Sequence, residues 1–181
     1  MVELVAKTPF EGVLPVEIGT VQLREVAPGQ LTLLSARKGK IRALGAVLKD
    51  HHGVNWPLPG RAQASGTTRI VWFGRGQAML MGPEPHGDLS DVAACVDQSD
   101  GWGVARLDGA KVEAVLARQV PLDVRLDRFK AGHTARCQVF HIPVSLTRIG
   151  AETFEILVFR SMARSLVHDL KSAMEAVRAR G

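Results

Sequence analysis

Apolar and polar positions along the chain change period several times. In TVQLREV (20–26), Val21 and Leu23 alternate with polar residues and Val26 follows less regularly. The turn APGQ and the run LTLLS (31–35) come next, a pattern that predicts a β-hairpin. From Arg37 the period becomes helical. Ile41, Leu44 and Leu48 form one apolar stripe that ends at HHG (51–53), where two histidines meet the exposed carbonyls of a helix end. VNWPLPGRAQASG (54–66), rich in proline and glycine, predicts a loop. TRIVWFG (68–74) and QAMLMG (77–82), split by RG, predict a second hairpin, and PEPHGDLSD (83–91) a loop with a short helical turn. VAACVD (92–97) is too short to assign.

The second half is more regular. GVARL (103–107) predicts a strand. Asp108 is placed to cap a short helix carrying Val112, Val115 and Leu116, which Pro121 stops. TARCQVFHIPVSLTRI (134–149) and TFEILVFR (153–160) predict strands joined by the turn GAE. Ser161 then caps a long helix with the stripe Met162, Leu166, Leu170, Met174 and Val177. Hairpins and helices mix without regular βαβ alternation, so the expected class is α+β with mostly antiparallel sheets. Residues 1–19, with Pro9, Gly12 and Pro15, are expected as an extended N-terminal arm.

Composition narrows the function. A chain of 181 residues is long enough for a substantial core, and 46% hydrophobic with 23% charged residues is ordinary for a soluble domain. The chain has no tyrosine and only three tryptophans, so stacking platforms for single-stranded nucleic acid are scarce. The net charge of +5 is scattered, and its densest run, ARKGKIR (36–42), solvates a surface rather than marking a nucleic-acid footprint. Neither a signal peptide nor a membrane span is present in the pattern, and Cys95 and Cys137 form no CxxC pair. The expectation is a cytoplasmic protein with reduced thiols, without membrane or nucleic-acid partners.

The motifs that invite chemistry fail on inspection. Gly101, Gly103 and Gly109 are spaced G-x-G-x5-G, with a strand between the second and third, so they do not open a helix onto a dinucleotide. The glycines of GRGQAMLMG (74–82) fall in a hairpin turn. His133, Cys137 and His141 lie at i, i+4 and i+8. On a strand, four residues span about 13 Å, too far for one ion to bridge. The pairs Asp97/Asp100 and Asp123/Asp127 suit turns and caps, and no G-x-S-x-G accompanies Ser99 or Ser161. No catalytic, cofactor-binding or metal residue is assigned, which favours a binding or assembly module.

The stretch VDQSDGWGVARLDGAKVEAVLARQVPLDV (96–124) resembles the pattern "vdvSda-a-lrLsG--A--lLa---plDl" of the gamma subunit of heterotetrameric sarcosine oxidase. That pattern continues through a phenylalanine, glycine and arginine, here Phe129, Gly132 and Arg136. FHIPVSLTRIGAETFEILVFRSMARSLVHDL (140–170) and LGAVLKDHHGVNWPLPGRAQASGTTRIVWFGRGQAMLMGP (44–83) resemble further blocks of the family. The likeness runs from about residue 35 to 175. Trp72-Phe73-Gly74-Arg75 stands where the family has W-x-G-P, Phe159-Arg160-Ser161 lacks the family's proline, and Val167-His168 replaces a frequent tryptophan.

The resemblance implies the folate-binding, aminomethyltransferase-like architecture of two interlaced ferredoxin-like subdomains. They would fall roughly at 20–90 and 91–181 of one domain over 20–181. It also implies a small non-catalytic subunit docked on the large alpha subunit, with beta and delta subunits in the complex. That complex oxidatively demethylates sarcosine to glycine and hydrogen peroxide and passes the one-carbon unit to tetrahydrofolate. FAD, FMN, NAD and tetrahydrofolate are expected in the partner subunits and no cofactor in this chain. The alternatives are a stand-alone folate-dependent one-carbon enzyme or folate-binding protein, which would hold the pterin with an acidic side chain inside a pocket, and a basic nucleic-acid-binding module.

Overall fold

The computed structural model describes residues 5–181. The first half contains β1 (Val16–Ile18), β2 (Val21–Glu25), β3 (Gln30–Ala36), α1 (Ile41–His52), β4 (Ala62–Ser65), β5 (Thr68–Gly74), β6 (Gln77–Gly82) and α2 (Leu89–Val92). The second half contains β7 (Ala93–Asp97), β8 (Trp102–Gly109), α3 (Val112–Leu116), β9 (Thr134–Val139), β10 (Ile142–Gly150), β11 (Thr153–Phe159) and α4 (Ala163–Arg178). The class is α+β, and every strand pairing is antiparallel.

The strands form two sheets. One has six strands in the order β1-β2-β8-β11-β10-β9, the other five in the order β4-β5-β6-β3-β7. The chain therefore begins in the six-stranded sheet, leaves it to build the whole five-stranded sheet, and returns at β8. The sheets do not divide near residue 90: β1 and β2 lie in the sheet that the second half builds, and β7 in the sheet of the first half. Within the segment expected as an extended arm, β1 is the edge strand beside β2 and Phe10 is buried. Residues 1–4 of that arm lie outside the described residues.

Three apolar cores define four layers. Leu44 and Leu48 of α1 and Leu89 of α2 pack with Leu34, Ile70 and Leu80 on the outer face of the five-stranded sheet. Val112, Val115 and Leu116 of α3 and Leu166, Leu170 and Met174 of α4 pack on the outer face of the six-stranded sheet. Between the sheets lie Leu31, Val71, Phe73, Met79, Met81, Trp102, Val104 and Leu157. Central strands are thus covered on both faces, which is why β11 after Thr153 is an apolar run broken only by one glutamate rather than an alternating pattern.

Several local expectations change in this context. β2 and β3 do not pair with each other. β2 pairs with β1 and β8, and β3 with β6 and β7, because their apolar side chains belong to different cores. The expected single strand over 134–149 is a hairpin: the chain reverses at Phe140, the one described non-glycine residue with positive φ, at 53°. The tail of the predicted loop 54–66 is β4, and the unassigned 92–97 contains β7. Asp108 does not cap α3. It lies inside β8 and pairs with Arg24 at 3.4 Å, while Ser161 sits in a 3-10 turn (Arg160–Met162) and forms no cap bond to α4. The helical stripe on α4 holds from Leu166 to Val177, but Met162 is largely exposed.

Two of the glycines that resembled a phosphate loop are required by close backbone approach. A Cβ on Gly103 would lie 2.7 Å from the Phe10 ring and 2.8 Å from Pro9, the segment that folds across β8. Gly109 has φ +134°, and a Cβ there would overlap the carbonyl oxygen of Thr20. Replacing Gly109 with alanine forces β2 away from β8 and should cost about 3 kcal/mol, measured as a lower urea midpoint at unchanged slope; a midpoint equal to wild type would refute this role.

Candidate functional site

At one end of the inter-sheet core the apolar side chains give way to charge. On β8 the face that carries Trp102 and Val104 continues to Arg106, and on β11 the face that carries Leu157 continues to Glu155. The register sets Glu155 directly opposite Arg106. From the other sheet, β5 presents Arg69 two residues before Val71. The Glu155 carboxylate is almost fully buried and accepts from both guanidiniums, from Arg69 across the sheets and from Arg106 at 3.3 Å along the six-stranded sheet.

A cavity of about 240 Å³ lies beside this triad, lined by Ala62, Gln63, Ala64, Arg69, Val71, Gly132, Thr147, Arg148, Ile149 and Glu155. It continues into an open groove of about 600 Å³ edged by Arg69, Arg106, Pro28, Thr67 and Pro83. Among the described residues Glu155 is the one carboxylate lining the cavity, and both arginines bind it through Oε2. No histidine or cysteine lines the cavity.

The rim of this cleft is held by a third arginine, which is fully buried. Arg148 donates to Glu113 of α3 at 2.6 Å and to the carbonyls of Val124 and Ala151, with its guanidinium 4.3 Å above the Phe154 ring. Phe129 stacks on the same Phe154, with ring centroids 6.2 Å apart. Gly132 then joins the sheets: its N–H donates to Arg148 O at 2.8 Å, and its carbonyl accepts from Ala62 N–H at 2.8 Å. Arg136 places its guanidinium 4.1 Å from the Phe73 centroid and 5.3 Å from that of Trp102. The Phe129, Gly132 and Arg136 motif thus spans the seam between the sheets.

Other residues considered from sequence are not brought together. His133 and His141 flank opposite ends of β9, with Cys137 between them in the strand. Burial pushes the Cys137 thiol up to about 11 and raises that of Cys95, so neither is a thiolate near neutrality, and both are unpaired. Asp97 accepts from the Ser99 hydroxyl at 2.6 Å and its N–H at 2.9 Å, and Asp123 is held down to about 2 by Arg125, so both serve turns. Gly101 lies in the turn before β8.

Glu155 was not singled out from sequence. Its signal is a lone acid inside an apolar run, TFEILVF, which burial on both faces obliges to find cationic partners. Glu155→Ala leaves Arg69 and Arg106 facing each other in the seam and should cost about 3 kcal/mol in urea unfolding. Replacing all three charges together, as Glu155→Leu, Arg69→Met and Arg106→Met, should recover most of that loss. A single variant as stable as wild type would refute the triad as the charge balance of the seam.

No protein-family model matches the chain. Two curated proteins do. A sarcosine oxidase subunit gamma from Corynebacterium sp. strain P-1 is 27% identical over 170 residues, 86% of this chain and 81% of that one. A sarcosine oxidase subunit gamma from an Arthrobacter species is 26% identical over 166 residues, with the same coverage of both chains. Among solved structures, a chain of the heterotetrameric sarcosine oxidase from Corynebacterium sp. U-96, in complex with pyrrole 2-carboxylate, superposes with a TM-score of 0.78 at 26% identity, covering 96% of each chain. The chain is thus similar in sequence to sarcosine oxidase gamma subunits and in fold to a chain of the heterotetrameric enzyme.

Proposed function

We propose that the chain is the small gamma subunit of a heterotetrameric sarcosine oxidase and that its role is assembly rather than catalysis. The observation that carries this reading is the end-to-end match, 96% of both chains, to a chain of a heterotetrameric sarcosine oxidase. In the proposed complex it docks on the large alpha subunit, with beta and delta subunits alongside. The complex oxidatively demethylates sarcosine to glycine and hydrogen peroxide and passes the one-carbon unit to tetrahydrofolate. FAD, FMN, NAD and tetrahydrofolate are assigned to the partner subunits.

The end-to-end likeness supports a subunit role over a stand-alone folate enzyme. The acid that lines the cavity, Glu155, is buried and held through Oε2 by Arg69 and Arg106. The scattered charge of +5 and the sparse aromatics likewise give no continuous nucleic-acid surface. Among the described residues no helix is long and apolar enough to cross a membrane.

The isolated chain should produce no peroxide from sarcosine. Co-expressed with alpha, beta and delta subunits, it should elute with them in a stable stoichiometric complex. Recovery only as a free monomer would overturn the assembly role. Micromolar binding of tetrahydrofolate to the isolated chain, measured by calorimetry, would overturn the non-catalytic reading in favour of a folate protein.

A further inference from the structure

The layer between the sheets is charged at one end and aromatic at the other. From Glu155 the inner face of β11 continues through Leu157 to Phe159, and from Arg106 that of β8 runs back through Val104 to Trp102, which the register sets opposite Phe159. The Trp102 and Phe159 ring centroids are 4.2 Å apart, and Phe73 of β5 meets Trp102 edge-on at 5.1 Å. Phe73 and Trp102 are buried, whereas Phe159 is 41% exposed. Beside them the exposed Arg136 of β9 holds its guanidinium against both buried rings.

Arg136 is a cation without an anion. Among the described residues no carboxylate forms an ion pair with it, nor with Arg160 or Arg164. Asp97, in the segment before β8, is bonded to Ser99, and Asp100 is exposed to solvent. An arginine held on aromatic faces has already given up much of its rotamer freedom, so it takes up a carboxylate at a smaller entropy cost than a freely moving surface cation.

The chain after Phe159 adds to the same imbalance. Arg160 N–H donates to the Gly101 carbonyl at 2.9 Å, which fixes the turn Arg160–Met162 next to Trp102. Met162 is 39% exposed, and the turn leads into α4, whose first turn carries Arg164 and no acid and which no side chain caps. From Ile156 to His168 no residue is acidic. Arginine at the positive end of a helix dipole opposes the helix's own stability, and an external carboxylate would relieve it. Exposed Phe and Met bordered by arginines, without lysine or acid, is the composition of a protein-binding centre. A nucleic-acid surface would instead spread its cations along a groove.

We propose that Arg136, Phe159, Met162 and Arg164 form a docking patch for an acidic segment of a partner protein, with apolar contact on Phe159 and Met162 and carboxylates on the arginines. On the subunit reading, on which this rests, that partner is the large alpha subunit. The chain is co-expressed with alpha, beta and delta subunits and recovered through a tag on alpha. The amount retained is measured as sodium chloride rises from about 0.1 to about 0.5 M. Arg136→Met, Phe159→Ser with Met162→Ser, and Arg164→Glu should each reduce retention about tenfold. In isolation Arg164→Glu should unfold at an equal or higher urea midpoint, since an acid suits the start of α4, so its loss from the complex is not loss of the fold. Arg42→Glu with Lys49→Glu, at exposed positions of α1, should leave retention unchanged. Full retention of the patch variants beside an intact wild-type complex would overturn the proposal and leave the subunit reading standing. Equal loss with the α1 pair would overturn it too. A wild-type chain that never co-purifies would overturn the subunit reading and this proposal together. An isolated chain that dimerises, and that Phe159→Ser with Met162→Ser makes monomeric, would assign the patch to a second copy and overturn it.

Discussion

The arrangement depends on a buried carboxylate held between two sheets. Glu155 is enclosed on the inner face of β11, and its charge is balanced from both directions, by Arg106 along its own sheet and by Arg69 from the opposite one. An ion pair of this kind is a weak source of net stability, because desolvation of the charges offsets most of their attraction. Its effect lies in what it forbids. Sliding β5 against β11 would strand one of three charges in a low-dielectric seam, so the triad and the apolar layer of Val71, Met79, Val104 and Leu157 demand the same alignment.

Arg148 extends that constraint to the outer layer. Its side chain points to the helical face of β10, where it gathers α3 through Glu113, the 120s loop through Val124 and the β10–β11 turn through Ala151. Its backbone carbonyl receives Gly132, whose own carbonyl receives Ala62 from the five-stranded sheet. One short stretch of chain therefore links the helical layer, the six-stranded sheet and the five-stranded sheet. The Phe129, Gly132 and Arg136 pattern that resembles the gamma-subunit family lies on this link, so its spacing meets a structural requirement of the seam.

The cleft lies against this charged end of the seam. Its acid is held through Oε2 by two arginines, and Thr147 on its wall shares a hydrogen bond with Thr134, hydroxyl oxygens 2.8 Å apart.

Much of the local structure was legible in the sequence. The periods of α1 and α4, the hairpin from Thr68 to Gly82, the strand–turn–helix unit around Gly109 and the α+β class all follow from spacing within a few residues, since burial of one face acts on neighbours along the chain. The failures were equally local in cause: Asp108 and Ser161 have the chemistry of helix caps, but Asp108 is drawn to Arg24 and Ser161 lies in a 3-10 turn. What spacing could not supply was partnership. Whether β2 pairs with β3 or β8 is decided by distant partners such as Leu23 and Leu107, and which cations hold Glu155 by contacts between residues 49 and 86 positions apart. The periodicity of a segment states that it must bury a face or satisfy a charge; only the folded layers determine against what.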